Sequence, residues 1–475
     1  MPVKVALVRP HYESHIITPP LGLGYLSAFL KKDGVETVLL DGLRDRLSED
    51  TLLKKIEAAK PDAVAITCLT AFYHRALSLS RRVKERGLVT ILGGAHPTVL
   101  PHQTLVDSKA DYVICGEGEV ALRGLAKNGW SNRGITGVYS LDQCPGDEIA
   151  WPKAETVQRL DDLPFPDWAA MPPSSYPRAP HGAVVKHFPV GVIVTSRGCP
   201  YRCSFCASPR LCGGTVRFRS PENVADEIEY LVKHFAVREI HFEDDNFTLR
   251  RDHAKAVCEL IIRRGLRIGW ACPNGIRADT IDEELMSLMA RSGCYSLAYG
   301  IESANPTILG KVHKNETLEQ IRTAIDLAPK KGIACQGFFI LGLPGETRET
   351  LRETIEFAKR SKLTRAQFLI LDVLPGSELW QTLRGQFIPN WDKDSYREPE
   401  WLPEGLTKEA LMKAQERAFL EFYLQPRRLF GLLRLVRFKQ IPYLLKRMTA
   451  YRLIKKRLNP LFPDRKKNDK FDGSE

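Results

Sequence analysis

Cys199, Cys203 and Cys206 stand within eight residues in "TSRGCPYRCSFCASP" (195–209). Thiolates are soft ligands, and three at this spacing read first as a metal site. A four-iron cluster needs four terminal ligands, so a loop with three cysteines leaves one iron open. An open coordination position marks a catalytic rather than a structural metal site. The same spacing also admits zinc, with Cys212 as a fourth ligand, or a chance grouping. Gly198 and Pro200 suit a chain that turns tightly around a cluster. The remaining cysteines (68, 115, 144, 212, 258, 272, 294, 335) are scattered, and most read as small buried apolar side chains.

The compartment bears on the metal reading. The start, "MPVKVALVRPHYES", has no basic region followed by a long apolar run and reads as a first strand. No apolar run approaches the roughly 18 residues of a membrane-spanning helix. The expectation is a cytoplasmic protein with reduced thiols. Hydrophobic content of 43% and charged content of 27% are those of a globular chain. A length of 475 residues predicts two or three domains. Of the net charge of +12, residues 427–457 carry +11 (eleven Lys or Arg, no Asp or Glu) and residues 458–475 carry zero, which leaves +1 for residues 1–426. A near-neutral body offers no wide basic footprint, so no nucleic-acid partner is expected. The basic, apolar-rich stretch 427–457, interrupted by Pro442, reads as an amphipathic element. It either caps the body or makes a peripheral contact with an anionic membrane face.

These chemical groups need a scaffold. Residues 1–140 alternate short apolar runs ("VKVALV", "ETVLL", "AVAIT", "VTIL", "DYVIC") with helically spaced segments. That alternation predicts a doubly wound, five-stranded parallel α/β sheet whose strand-end loops line one rim. Residues 141–188, rich in Pro, Asp and Ser, read as a linker anchored by Trp151, Phe165 and Trp168. From 189 to 390 a second βα series predicts a partial (β/α)6 barrel, with strands at 191–196, 239–243, 267–272, 295–300, 333–341 and 366–373 and a first helix at 222–235. Its polar motifs all follow strands, where barrel sites lie. Residues 391–475 read as a helical, basic tail.

The CxxxCxxC loop, with Phe205 before the last cysteine, resembles that of the radical S-adenosylmethionine (radical SAM) superfamily across roughly 190–380. The resemblance implies a 4Fe–4S cluster on Cys199, Cys203 and Cys206, with SAM chelating the open iron. It also implies an electron donor such as flavodoxin or ferredoxin, and cleavage of SAM to a 5′-deoxyadenosyl radical. "HFEDDNF" occupies the place where relatives hold the SAM amino group, which makes Asp244 and Asp245 candidates. "GIESA" matches the ribose strand with Glu302 and Ser303, and "GFFILGLPGET" resembles the adenine-contacting GxIxGxxE segment with Gly342.

A parallel α/β domain ahead of such a core resembles the cobalamin-binding domain of the B12-dependent radical SAM class. On that resemblance Gly22, Thr67, Gly93, Gly94, His96, Pro97, Gly116 and Glu117 are candidate cobalamin contacts. The DxHxxG loop of cobalamin carriers is absent: "RPHYESHIITPP" follows the first strand. The likeness is thus to members with no histidine below the cobalt, or to a domain kept as scaffold. The implied activity is methylation of an unactivated carbon in a small-molecule or lipid substrate, with methylcobalamin as the donor. Oxidative cyclisation, ring rearrangement and a non-catalytic cobalamin- or zinc-binding scaffold are the alternatives.

Overall fold

The computed structural model describes residues 3–144, 146–147, 152–181, 185–391, 399–426 and 428. Strands β1 (Lys4–Arg9), β2 (Glu36–Asp41), β3 (Ala63–Thr67), β4 (Val89–Gly93) and β5 (Tyr112–Ile114) pair in parallel in the order β2-β1-β3-β4-β5. The apolar runs of the inner strands β1, β3 and β4 are buried on both sides, as crossover helices require, while the edge strand β2 is half-buried. The helices Glu49–Ala59 and Tyr73–Lys84 cover one face, while Leu21–Lys32 and Glu119–Lys127 cover the other. One strand was not anticipated. β6 (Val138–Tyr139) adds antiparallel to β5, making the sheet six-stranded. Two residues are too short to show a period of alternation, so only tertiary pairing identifies them. The strand order reverses between β1 and β3, and the crevice outside the carboxyl ends opens there.

The second unit begins with β7 (Val190–Ile193), followed by a small antiparallel ribbon of β8 (Ser196–Arg197) and β9 (Arg217–Phe218). Then come β10 (Glu239–Phe242), β11 (Gly269–Ile276), β12 (Cys294–Glu302), β13 (Ala334–Leu341) and β14 (Arg365–Ile370). Six parallel strands in the order β14-β13-β12-β11-β10-β7 form the partial barrel, with β7 and β14 at its edges. The helix Pro221–Phe235 starts where a serine and a proline dictate it: Ser220 Oγ accepts from Asn223 N–H, and Pro221 sits at the first turn. β11 and β12 run further than the sequence predicts. Register shifts between Cys272 and Ile276 and between Gly300 and Glu302 let the polar "PNG" and the left-handed Glu302 (φ +64°) stay within strands.

The described residues of the connecting segment pack against both units. Trp168 is fully buried and donates from Nε1 to Glu227 (2.9 Å). Phe165 lies beneath the Arg219 guanidinium (5.6 Å), whereas Trp151 lies outside the described residues. Of the tail, the helix Lys408–Tyr423 packs on β14 through Phe419 and Phe422 against Phe368. The basic stretch 427–457 lies outside the described residues except for Arg428. That cation is buried, donates to Ser361 O (2.6 Å) and stacks on Phe422 (4.3 Å). No helix among the described residues is long and apolar enough to cross a membrane.

Candidate functional site: a cysteine loop facing a glycine-lined rim

The cysteine loop leaves β7 and is shaped before it reaches the first thiol. Asp244, at the end of β10, is buried and accepts from Thr195 N–H (3.0 Å), Thr195 Oγ1 (2.8 Å) and Ser196 Oγ (2.6 Å). Gly198 follows with φ +105°, and a Cβ there would sit 2.3 Å from Thr215 O. Gly198→Ala is therefore expected to destabilise the loop by about 1–3 kcal/mol. Iron retained after anaerobic reconstitution should fall with it; unchanged iron content would refute the point.

Beyond Gly198 the loop is pinned at both ends. Cys206 N–H donates to Cys203 O (3.0 Å), Ser204 N–H to Val312 O (3.0 Å), and Leu379 N–H to Ser204 O (2.8 Å). Phe205 packs with Val312, Leu343 and Leu379. The three thiols are half-buried, and burial pushes each of them up, Cys206 to about 12. Ligating iron would reverse that cost, since the cation's charge favours the thiolate. Among the described residues no three His, Cys, Asp or Glu side chains converge as one metal ion would require, and Cys212 is exposed on the short helix Ser208–Cys212. Three soft donors on one loop, without a fourth, fit a cluster with an open corner better than a zinc ion.

Beneath Cys203 lies a buried charge network with no signature in the sequence. Lys314 Nζ sits 3.3 Å from Glu302 and 3.2 Å from Glu316. Arg277 donates to Lys314 O (2.7 Å), pairs with Asp279 (2.6 Å) and covers the Tyr201 ring (3.8 Å). Burial raises the Cys203 thiol, while the Lys314 and Arg277 cations pull it back down.

The other expected SAM contacts are divided. Asp244 spends its oxygens on Thr195 and Ser196, so it shapes the cluster loop. Asp245 is exposed and accepts from Ser208 Oγ (3.0 Å) just beyond Cys206. Glu302 is held by Lys314; burial raises its carboxyl and the Lys314 cation opposes this. Ser303 is fully buried, with Oγ 3.3 Å from Thr354 Oγ1. Gly342 has φ +91°, and a Cβ there would meet Leu411 at 2.9 Å. The glutamate of that segment is Glu346, four residues on rather than three. It accepts from Gly342 N–H (2.5 Å) and Leu343 N–H (3.1 Å), while its Oε1 is buried without a partner.

Burial pushes Glu346 up to about 7 from an ordinary 4.5. Between those values the folded chain binds a proton that the unfolded chain has released, so this group's contribution to stability falls as pH rises from 4.5 to 7. Glu346→Gln is expected to remove that slope, on the order of 3 kcal/mol. Urea denaturation at pH 5 and pH 8 reads it, and identical slopes in both proteins would contradict the assignment.

The rim of the first sheet faces this loop. Thr67 ends β3 and Gly93 ends β4. Nothing lies within 4 Å of a Cβ built on Gly22 or Gly93, so both border open space. Gly94 (φ +114°) brings the backbone so near β3 that a Cβ would lie 2.7 Å from Cys68 O. Tyr12 stacks on Phe72 (4.1 Å), joining the loops after β1 and β3, and Ile16 and Leu69 are exposed apolar side chains on those loops. A slot bordered by glycine, with hydrocarbon beside it, fits a broad flat corrin.

His96 and Pro97 are both buried behind this rim. The His96 ring stacks on Tyr73 (3.9 Å), its Nδ1 lies 3.1 Å from Thr70 Oγ1, and burial pushes it down to about 3. It is a neutral packing group. Gly116 (φ +99°) donates to Thr98 Oγ1 (2.9 Å). Glu117, expected among the cobalamin contacts, is engaged by Arg197 and Arg217 of the ribbon.

Inside the barrel a polar chain climbs from bottom to top. Tyr295 OH donates to Glu239, whose Oε1 lies 2.9 Å from His241 Nε2. His241 Nδ1 meets His181 Nδ1 (2.8 Å), and His181 Nε2 lies 2.7 Å from Glu243. The opposite wall is partly apolar: Phe338 and Ile340 alternate inward on β13, and Leu369 is 44% exposed on β14. A separate open groove of about 800 Å³, bordered by Arg322, Glu353 and Phe357, lies outside the barrel, between the helices Leu318–Lys330 and Arg348–Arg360.

Two family models match the chain, "B12 binding domain" over residues 13–126 and "Radical SAM superfamily" over residues 193–358. An uncharacterized methyltransferase of Pyrococcus horikoshii is 32% identical, covering 90% of this chain and 93% of that one. The cytidylyl-2-hydroxyethylphosphonate methyltransferase of Streptomyces wedmorensis is 30% identical over 83% and 84%. The anaerobic magnesium-protoporphyrin IX monomethyl ester cyclase of Rubrivivax gelatinosus is 30% identical over 88% and 78%. Among solved structures, the radical SAM methyltransferase TsrM of Kitasatospora setae, with cobalamin and a 4Fe–4S cluster bound, superposes with a TM-score of 0.67 at 22% identity over 93% of this chain and 92% of that one. That likeness shows the fold.

Proposed function

The chain belongs to the radical SAM superfamily, in the group with an amino-terminal B12-binding domain, and on that premise we propose that it is a methyltransferase acting on an unactivated carbon. The observation that supports the reading is the meeting of the two halves: Arg197, two residues before Cys199, pairs with Glu117 in the loop after β5 of the first sheet and with Glu119 at the start of the helix that follows. A corrin at that rim and a cluster on the three thiols would share one cavity. When bound, the cluster with SAM supplies hydrogen-atom abstraction and the corrin supplies the methyl group. Everything else is done by the chain's own residues.

Cys199, Cys203 and Cys206 would hold the cluster, while Asp244 fixes the start of the loop that carries them and Lys314, paired with Glu302, places a positive charge near Cys203. Asp245, Glu302 and Gly342 are the residues we assign to the SAM side, and Gly22, Gly93, Gly94 and Gly116 to the corrin side. The apolar wall of Phe338, Ile340 and Leu369, facing Glu243 and His181, suits a largely hydrocarbon substrate with one polar group. A reductant completes the system.

The test is anaerobic reconstitution with iron and sulfide, followed by incubation with a chemical reductant, SAM and hydroxocobalamin. Methyl transfer predicts S-adenosylhomocysteine together with 5′-deoxyadenosine. A second reading, cyclisation, is favoured by the Rubrivivax relative and predicts 5′-deoxyadenosine alone. Colourless, zinc-loaded protein that yields neither product would reject both.

A further inference from the structure

We propose that Arg197 is a positioning residue that couples corrin binding to cluster assembly, an inference that rests on the functional reading above. Arg197 ends β8, two residues before Cys199. Its guanidinium forks across the domain boundary: one terminal nitrogen lies 2.7 Å from Glu117 and the other 2.9 Å from Glu119. Its plane lies over the Tyr25 ring of the first domain (4.8 Å). Arg217, its partner across the ribbon, takes the other oxygen of Glu117 and donates to Val157 O (2.5 Å) in the connecting segment. All four charged side chains are largely buried, so salt screens them little.

Both ends of this bridge sit on loops assigned to cofactors. Glu117 follows Gly116 at the corrin rim, and Glu119 opens the helix Glu119–Lys127. Ordering the cysteine loop around a cluster fixes Arg197, and Arg197 then fixes the rim. A corrin that meets a fixed rim has less disorder to remove. By linkage the effect is reciprocal, and couplings of this kind amount to about 5- to 150-fold in affinity.

The experiment uses the full chain, prepared anaerobically with and without a reconstituted cluster. Hydroxocobalamin is titrated by equilibrium dialysis and read by corrin absorbance. Cluster-loaded protein should bind it about tenfold tighter, and bound hydroxocobalamin should slow iron loss to a chelator. Arg197→Lys keeps the charge but loses the two-pronged geometry. It should bring the loaded-to-unloaded affinity ratio close to one while binding stays measurable. Should that variant misfold by circular dichroism, Arg217→Lys carries the same expectation in weaker form. A wild-type ratio of one, or a ratio unmoved by either substitution, overturns the coupling. Absence of corrin binding in both preparations overturns the functional reading, and the coupling with it.

Discussion

Cys203→Ala should leave the protein folded and reduce SAM cleavage more than about a hundredfold, because changes to residues merely supporting metal ligands already cost 10- to 100-fold. The fold should survive because the Cys203 side chain is only half-buried and its loop is pinned by backbone bonds on either side. The chemistry should not survive, because a cube held at two corners has lost its fixed open site. The substitution also leaves Lys314 and Arg277 without the thiolate they face. Iron content, the visible absorption of the anaerobic protein and 5′-deoxyadenosine yield measure it together. Undiminished cleavage in a variant of native circular dichroism would remove Cys203 from the cluster.

The largest stability effect is expected at Arg219. Its guanidinium reaches Glu227 (2.5 Å), Val194 O (3.0 Å) and Asn223 Oδ1 (2.7 Å) while almost fully buried. Glu227 also accepts from Trp168, so the pair joins the connecting segment, the helix Pro221–Phe235 and the start of the cysteine loop. Arg219→Ala abandons a carboxylate in the interior and should cost about 3–5 kcal/mol. Replacing both charges, as in Arg219→Met with Glu227→Leu, should cost less than the two single changes added together. Urea denaturation of the wild type, Arg219→Ala, Arg219→Met, Glu227→Leu and the double variant measures this. A loss below about 1 kcal/mol in Arg219→Ala would place the pair among ordinary surface bridges.

The parallel strands were legible because each is a short apolar run closed by turn residues, and the cysteine loop because its spacing is local. What escaped is what distance along the chain conceals. Glu117 looked like part of a glycine-rich cofactor loop, yet its partners are 80 and 100 residues away. Asp244 and Asp245 are adjacent and identical in type, and only the turn of the chain just past β10 directs one toward Thr195 and the other toward Ser208. His96 follows the right glycines, but it lies in the short helix Ala95–Val99 and its ring stacks on Tyr73. Lys314 has no motif at all; its role appears once β12 delivers Glu302 beside it.

The segment between the two sheets has a consequence for how the molecule comes apart. Asp167 binds Lys31 (2.6 Å), Tyr176 OH reaches Asp41 (2.8 Å), and Pro180 O takes Ile17 N–H (2.8 Å), while Trp168 and His187 bond to Glu227 and Glu239 on the other side. Through its described residues this strap is stitched to both bodies and resists their separation. Heating should therefore melt the whole molecule in one cooperative step, and neither half expressed alone should stay in solution.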